Sequence, residues 1–127
     1  MTDGMGGMEA TDDSAVIALS EARRRRLDMP VTFDRRELDQ ILRVYGFMVA
    51  AGEWRDYAID HLADQAVFSV YRRTSEVPLF RIVKQPKLRH KQGAYSVVAA
   101  TGAVLKRGHE LPRVLAIFDK QLRLVKA

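Results

Sequence analysis

Two strand-like runs, Ala66-Val67-Phe68-Ser69-Val70-Tyr71 and Leu79-Phe80-Arg81-Ile82-Val83-Lys84, constrain this chain more than any other stretch. β-Branched and aromatic residues at that density favour extended backbone. The connector Arg72-Arg73-Thr74-Ser75-Glu76-Val77-Pro78 is polar and ends in proline, which favours a reversal. An antiparallel hairpin follows. Along it, Val67 and Tyr71 oppose Phe68 and Val70, while Leu79 and Val83 oppose Phe80 and Ile82. Both faces are partly apolar, whereas a sheet with one wet face alternates apolar with polar. The second face needs a cover: a curled sheet edge, the N-terminal tail, or a second subunit. A homodimer is the expected cover, since two-fold pairs are the commonest closed assembly.

The flanking segments fit around this hairpin. Asp34-Arg35-Arg36-Glu37 has capping-box spacing, with Phe33 and Leu38 at the hydrophobic-staple positions. A helix with Leu38, Ile41, Leu42, Tyr45 and Val49 on one stripe should follow, stopping near Gly52. Val44, Phe47 and Met48 widen its apolar face, so its second half is expected to be more deeply buried, against another helix or another chain. Trp54–Leu62 reads as a strand, with Tyr57 and Ile59 on one face and Asp56, Ala58 and Asp60 on the other. Trp54 itself reads as a core plug. Residues 85–93 break the pattern and form a loop. Tyr95–Ala100 and Ala103–Arg107 read as strands joined by a tight Thr101-Gly102 turn. A second helix begins near Pro112 and carries Leu111, Val114, Leu115, Phe118 and Leu122. The expected fold is α+β: an antiparallel meander of four to five strands with two helices on one face, in the order helix, strands, helix.

Residues 1–29 read as a disordered tail, and residues 30–127 as a single domain. Within the tail, Ser14–Arg26 can form a short helix that ends in the run Arg23–Arg26. Asp3, Glu9, Asp12 and Asp13 precede that run and can fold back to screen basic residues elsewhere.

Chemistry is harder to find. The chain has no cysteine, which excludes disulfides, thiolate metal sites and a cysteine nucleophile. It shows no phosphate-binding glycine loop, metal-ligand spacing or nucleophile elbow. No catalytic residue, metal or cofactor is therefore assigned, and a non-enzymatic role is expected. His61 near Asp60 and Asp64 reads as a surface or half-buried histidine, because adjacent strand residues diverge. No apolar run is longer than Phe47–Ala51, which is too short to cross a membrane, and no secretory leader is apparent. A cytoplasmic setting is expected.

Charge carries the remaining signal. The net charge is +5, and from Val77 to His109 there is no Asp or Glu. That window holds Arg81, Lys84, Lys87, Arg89, Lys91, Lys106, Arg107 and His109, the candidate contacts for an anion or nucleic acid. Lys106-Arg107-Gly108-His109 precedes a helix N-terminus, an arrangement that favours an anionic ligand. Strand aromatics Tyr57, Phe68, Tyr71, Phe80 and Tyr95, near Arg72, Arg73 and Arg81, are alike in kind to a base-stacking sheet.

Four segments carry a likeness: Gly52–Tyr57, Arg72–Leu79, Lys91–Val97 and Leu105–His109. Through them the run Val31–Val125 resembles a family of short soluble bacterial proteins known only as a domain of unknown function. The resemblance implies a bacterial cytoplasmic protein and a stand-alone domain, and transfers no activity, cofactor or site. The expected function is a small self-associating interaction or regulatory module with a basic loop face. The alternative is a nucleic-acid-binding protein using residues 81–107 and the Arg23–Arg26 run. A third reading is a domain for an anionic small ligand near residues 106–109.

Overall fold

The computed structural model describes residues 29–73 and 77–120. The expected tail, the Ser14–Arg26 helix, Leu122 and the centre of the β-hairpin connector lie outside those residues, apart from Met29 at the tail's end.

Helix α1 spans Arg35–Ala50. Its start is fixed as the spacing requires: the Asp34 carboxylate accepts from the Glu37 N–H, and Glu37 Oε1 accepts from the Asp34 N–H, both at 2.8 Å. Two otherwise orphaned N–H groups are thereby paired. Its end is marked by Gly52 at φ +78°, a conformation that glycine adopts without strain.

Five strands follow: β1 (Asp56–His61), β2 (Ala66–Tyr71), β3 (Phe80–Lys84), β4 (Tyr95–Ala99) and β5 (Val104–Gly108). They pair antiparallel in chain order, a simple meander. A bulge at Val97/Val98 shifts the β4–β5 register. Helix α2 (Leu111–Leu115) closes the described chain and is helical again at 117–120 after a break at Ala116. The first strand begins at Asp56, not Trp54, because Glu53 and Trp54 both donate to the Met48 carbonyl in the turn that ends α1. Trp54 is a buried plug there, its ring edge-on to Phe118 at 4.9 Å.

The register sorts the side chains onto two faces. Ile59, Phe68, Ile82 and Val97 form one row across β1 to β4. With Ala66 and Val70 they meet Ile41 and Met48 of α1 and Leu111, Val114 and Leu115 of α2 in one core cluster. Both helices thus lie on one face, as expected. The opposite face carries Asp60, Val67, Val83, Ser96 and Arg107 in one row and Ala58, Ser69, Arg81 and Val98 in the next.

Within the single chain the second half of α1 is not wholly buried. Met48 is buried, but Phe47 is 50% and Val49 40% exposed. The sheet-facing stripe runs through Ile41, Tyr45 and Met48, and Phe47 points away under the Arg43 guanidinium, 5.9 Å from the ring centre. Exposed apolar side chains of this kind are ordinary at the surface.

Candidate functional site

The β3–β4 loop is the most built feature of the basic window. Its base is closed by the Gln85 N–H donating to the Ala94 carbonyl at 2.6 Å. Pro86–Leu88 forms a 3-10 turn. Beyond it the Lys91 and Gly93 N–H groups both donate to the Leu88 carbonyl, at 3.0 and 2.9 Å. Gly93 has φ +106° and lies against the Gly108 backbone at the end of β5. The Arg107 guanidinium donates to Gln85 Oε1 at 3.3 Å, tying β5 to the loop base a second time. The loop backbone is therefore held by its own hydrogen bonds, while Lys87, Arg89, His90 and Lys91 stand exposed. Among the described residues Lys87, Arg89 and Lys91 have no ion-pair partner.

The eight candidate residues do not form one surface. Lys87, Arg89 and Lys91 share the loop, and Arg107 and His109 adjoin it through Gln85 and Gly108. Arg81 lies mid-strand on the face away from the helices, opposite Ser69 and Val98. Lys84 turns inward: its Nζ donates to Glu37 Oε1 at 2.7 Å and to the Thr32 carbonyl at 2.9 Å. Lys106 and Arg107, adjacent on a strand, point to opposite faces. Helix α2 is only five residues long, and its first turn already carries a Glu110–Arg113 pair. Gathering Lys106, Arg107 and a helix N-terminus around one anion is not what this geometry does.

The strand aromatics also separate. Tyr57 stacks on Phe68 at 4.8 Å, Phe80 packs edge-on to Phe118, and Tyr95 donates to Glu37. All four face the helices; Tyr71 alone among the five lies on the other face. His61 is exposed on β1.

Sequence reading missed two arrangements. Glu37 is a buried carboxylate shared by Asp34, Lys84 and Tyr95, residues brought together from α1, β3 and β4. A cleft of about 420 Å³ at the other end of the sheet gathers Arg55, Arg72 and Arg73 beside Trp54. Arg72 is engaged there by Glu53 at 3.5 Å. The sequence signal was only the Arg72-Arg73 doublet, which does not show Arg55 nearby.

The Glu37 cluster sets a pH dependence. Burial first, and then the hydrogen bond to Glu37, hold the Tyr95 hydroxyl protonated well above the ordinary tyrosine range. The folded chain thus keeps a proton that the unfolded chain releases near pH ~10. The stabilisation is complete below about pH 10 and is lost as pH climbs through the folded value. Tyr95→Phe is expected to show a smaller loss of urea midpoint between about pH 8 and about pH 11 than the parent protein. Tyr45, raised by burial and then by Asp56, accounts for part of the remaining loss. Equal losses in the two proteins would contradict this role for Tyr95.

No group of three His, Cys, Asp or Glu among the described residues is placed to hold a metal ion. No helix among them is long and apolar enough to cross a membrane. The chain belongs to a family described as a protein of unknown function, DUF2794, whose model matches residues 31–115. Comparison with curated proteins and with solved structures finds no match.

Proposed function

We propose that this chain is a non-enzymatic interaction module that holds an anionic partner on its β3–β4 loop, in a bacterial cytoplasmic setting. One observation carries the reading: the loop's backbone is fixed while its cations stay exposed. Ordering a flexible loop on binding costs free energy, and a loop already fixed avoids that cost. Long exposed cations on a rigid frame suit recognition by charge, and loops on rigid scaffolds are where binding residues concentrate.

Nucleic acid is the second reading, favoured by the three loop cations with Arg107 beside them. With Tyr57, Phe68, Phe80 and Tyr95 turned toward the helices, such binding would rest on phosphates and not on stacked bases. Self-association belongs to the same proposal. The edge strand β5 shows exposed Val104 and Leu105, and an edge strand is a template for pairing with a second copy. A strict monomer in concentrated solution by light scattering would remove that part alone.

The test is binding of a labelled mixed-sequence single strand and of an acidic peptide across a salt series. Changing Lys87, Arg89 and Lys91 together to alanine should weaken the bound partner strongly. For nucleic acid, the salt slope should fall by about 2 as three phosphate contacts are lost. Binding of the peptide without the single strand selects a protein partner. Unchanged binding by the triple variant, or none by the parent at low salt, would refute the loop as the site.

A further inference from the structure

At the end of the sheet away from the β3–β4 loop, α1 and the first two strands leave a cleft, and we infer that it is a site for a small phosphate monoester. The cleft has a volume of about 420 Å³ and is lined by Val49, Gly52, Trp54, Arg55, Arg72 and Arg73. That volume lies within the range of small-ligand pockets.

Its walls stand on fixed backbone. Gly52, at φ +78°, turns the chain out of α1, and the Glu53 and Trp54 N–H groups both donate to the Met48 carbonyl. Arg55 is tied on both sides. Its N–H donates to the Tyr71 carbonyl at 2.8 Å, and its carbonyl accepts from the Tyr45 hydroxyl at 3.0 Å. Arg72 follows Tyr71 directly, so two of the three arginines rise from a held frame. A preformed frame spares a ligand the cost of ordering it.

Helix capping does not account for the arginines. Cations near a helix C-terminus often pair its last carbonyls. Here the Phe47, Met48 and Val49 carbonyls already accept from the backbone N–H groups of Ala51, of Glu53 and Trp54, and of Gly52. Ion pairing accounts for one of the three. Glu53 meets Arg72 at 3.5 Å, while among the described residues Arg55 and Arg73 have no ion-pair partner. Trp54 adds a second kind of unpaired donor to the same wall. It is 2% exposed, and its Nε1–H is buried with no acceptor among the described residues. Buried donors left unpaired are uncommon.

Charge selects the class of ligand. Three guanidiniums against one carboxylate leave two positive charges. The C-terminal end of α1 offsets about half a charge. The remaining surplus of about one and a half suits a phosphate monoester, which carries about −1.5 to −2 at neutral pH. A carboxylate would leave part of the surplus uncompensated. Guanidinium forks also match phosphate oxygens two at a time. Val49, 40% exposed, gives an apolar wall for the ester's organic group. The cleft shares no residue with the β3–β4 loop and does not depend on what the loop binds.

Titration of the full chain with phenyl phosphate tests it, with benzoate as a carboxylate on the same ring. Trp54 is the only tryptophan, so its indole N–H gives a single signal in a nitrogen-15 spectrum. Phenyl phosphate should shift that signal and the amides of Gly52, Arg55, Arg72 and Arg73. Benzoate should bind several-fold more weakly. Arg55→Gln and Arg73→Gln change exposed residues and spare the core. Each should weaken phenyl phosphate on the order of tenfold, the loss of a charge-assisted hydrogen bond. The Lys87→Ala, Arg89→Ala, Lys91→Ala protein should bind phenyl phosphate as the parent does. Shifts confined to residues 86–93, benzoate binding as tightly, or full affinity in both arginine variants would overturn the inference. No shift at any of these groups in low salt would overturn it as well.

Discussion

Gly93→Ala is expected to cost about 3 kcal/mol of folding stability, the sum of left-handed backbone strain and overpacking at one position. A Cβ there would stand 2.8 Å from Gly108 Cα and closer still to the Gly108 carbonyl. Both obstacles are backbone, so no side chain can rotate out of the way. The added methyl must push the loop off the end of β5, taking Lys87, Arg89 and Lys91 from their frame. Gly102→Ala is the matched control: φ is +91°, but no atom crowds the new methyl. Strain alone should cost about 1 kcal/mol there. Urea titrations of both variants measure the difference. Equal costs would mean that the Gly93–Gly108 contact does not hold the loop.

Glu37→Ala is the second large effect, about 3 kcal/mol by urea titration, the range for removing one partner of a buried ion pair. The carboxylate accepts from Lys84, Tyr95 and the Asp34 N–H at once. Its loss leaves a mostly buried ammonium and a half-buried hydroxyl unpaired, and opens the cap of α1. Removing both charges is a different experiment. Glu37→Met with Lys84→Met should be much milder than Glu37→Ala, because no lone charge is left behind. A Glu37→Ala protein within ~0.5 kcal/mol of the parent would deny the cluster its structural role.

These two predictions show where the sequence was informative. The capping box, the meander and the sorting of Phe68 and Ile82 against Val67 and Val83 are local patterns, readable without coordinates. That the second sheet face is partly apolar, with Val67 and Val83 side by side on it, was readable for the same reason. The Glu37 cluster was not. Its members lie 47 and 58 residues apart, and nothing local marks Lys84 as an internal cation. The exposure of Phe47 and Val49 escaped because helical periodicity gives a face but not the edge of the sheet beneath it. The Lys106-Arg107 pair was divisible in advance: residues adjacent on a strand diverge, and Ala103–Arg107 already read as one. Net charge located the basic window, but only the hydrogen-bonded frame of residues 85–94 separates exposed cations from Lys84, which is tied inward.

The β3–β4 loop as an anion-binding platform is most directly tested by amide chemical-shift mapping of the full chain during titration with a short acidic polymer at low salt. The perturbed amides should cluster at residues 86–93 and 107–109, and the perturbation should vanish in the Lys87→Ala, Arg89→Ala, Lys91→Ala protein. Shifts centred instead on Arg55, Arg72 and Arg73, or no shifts at all, would contradict it.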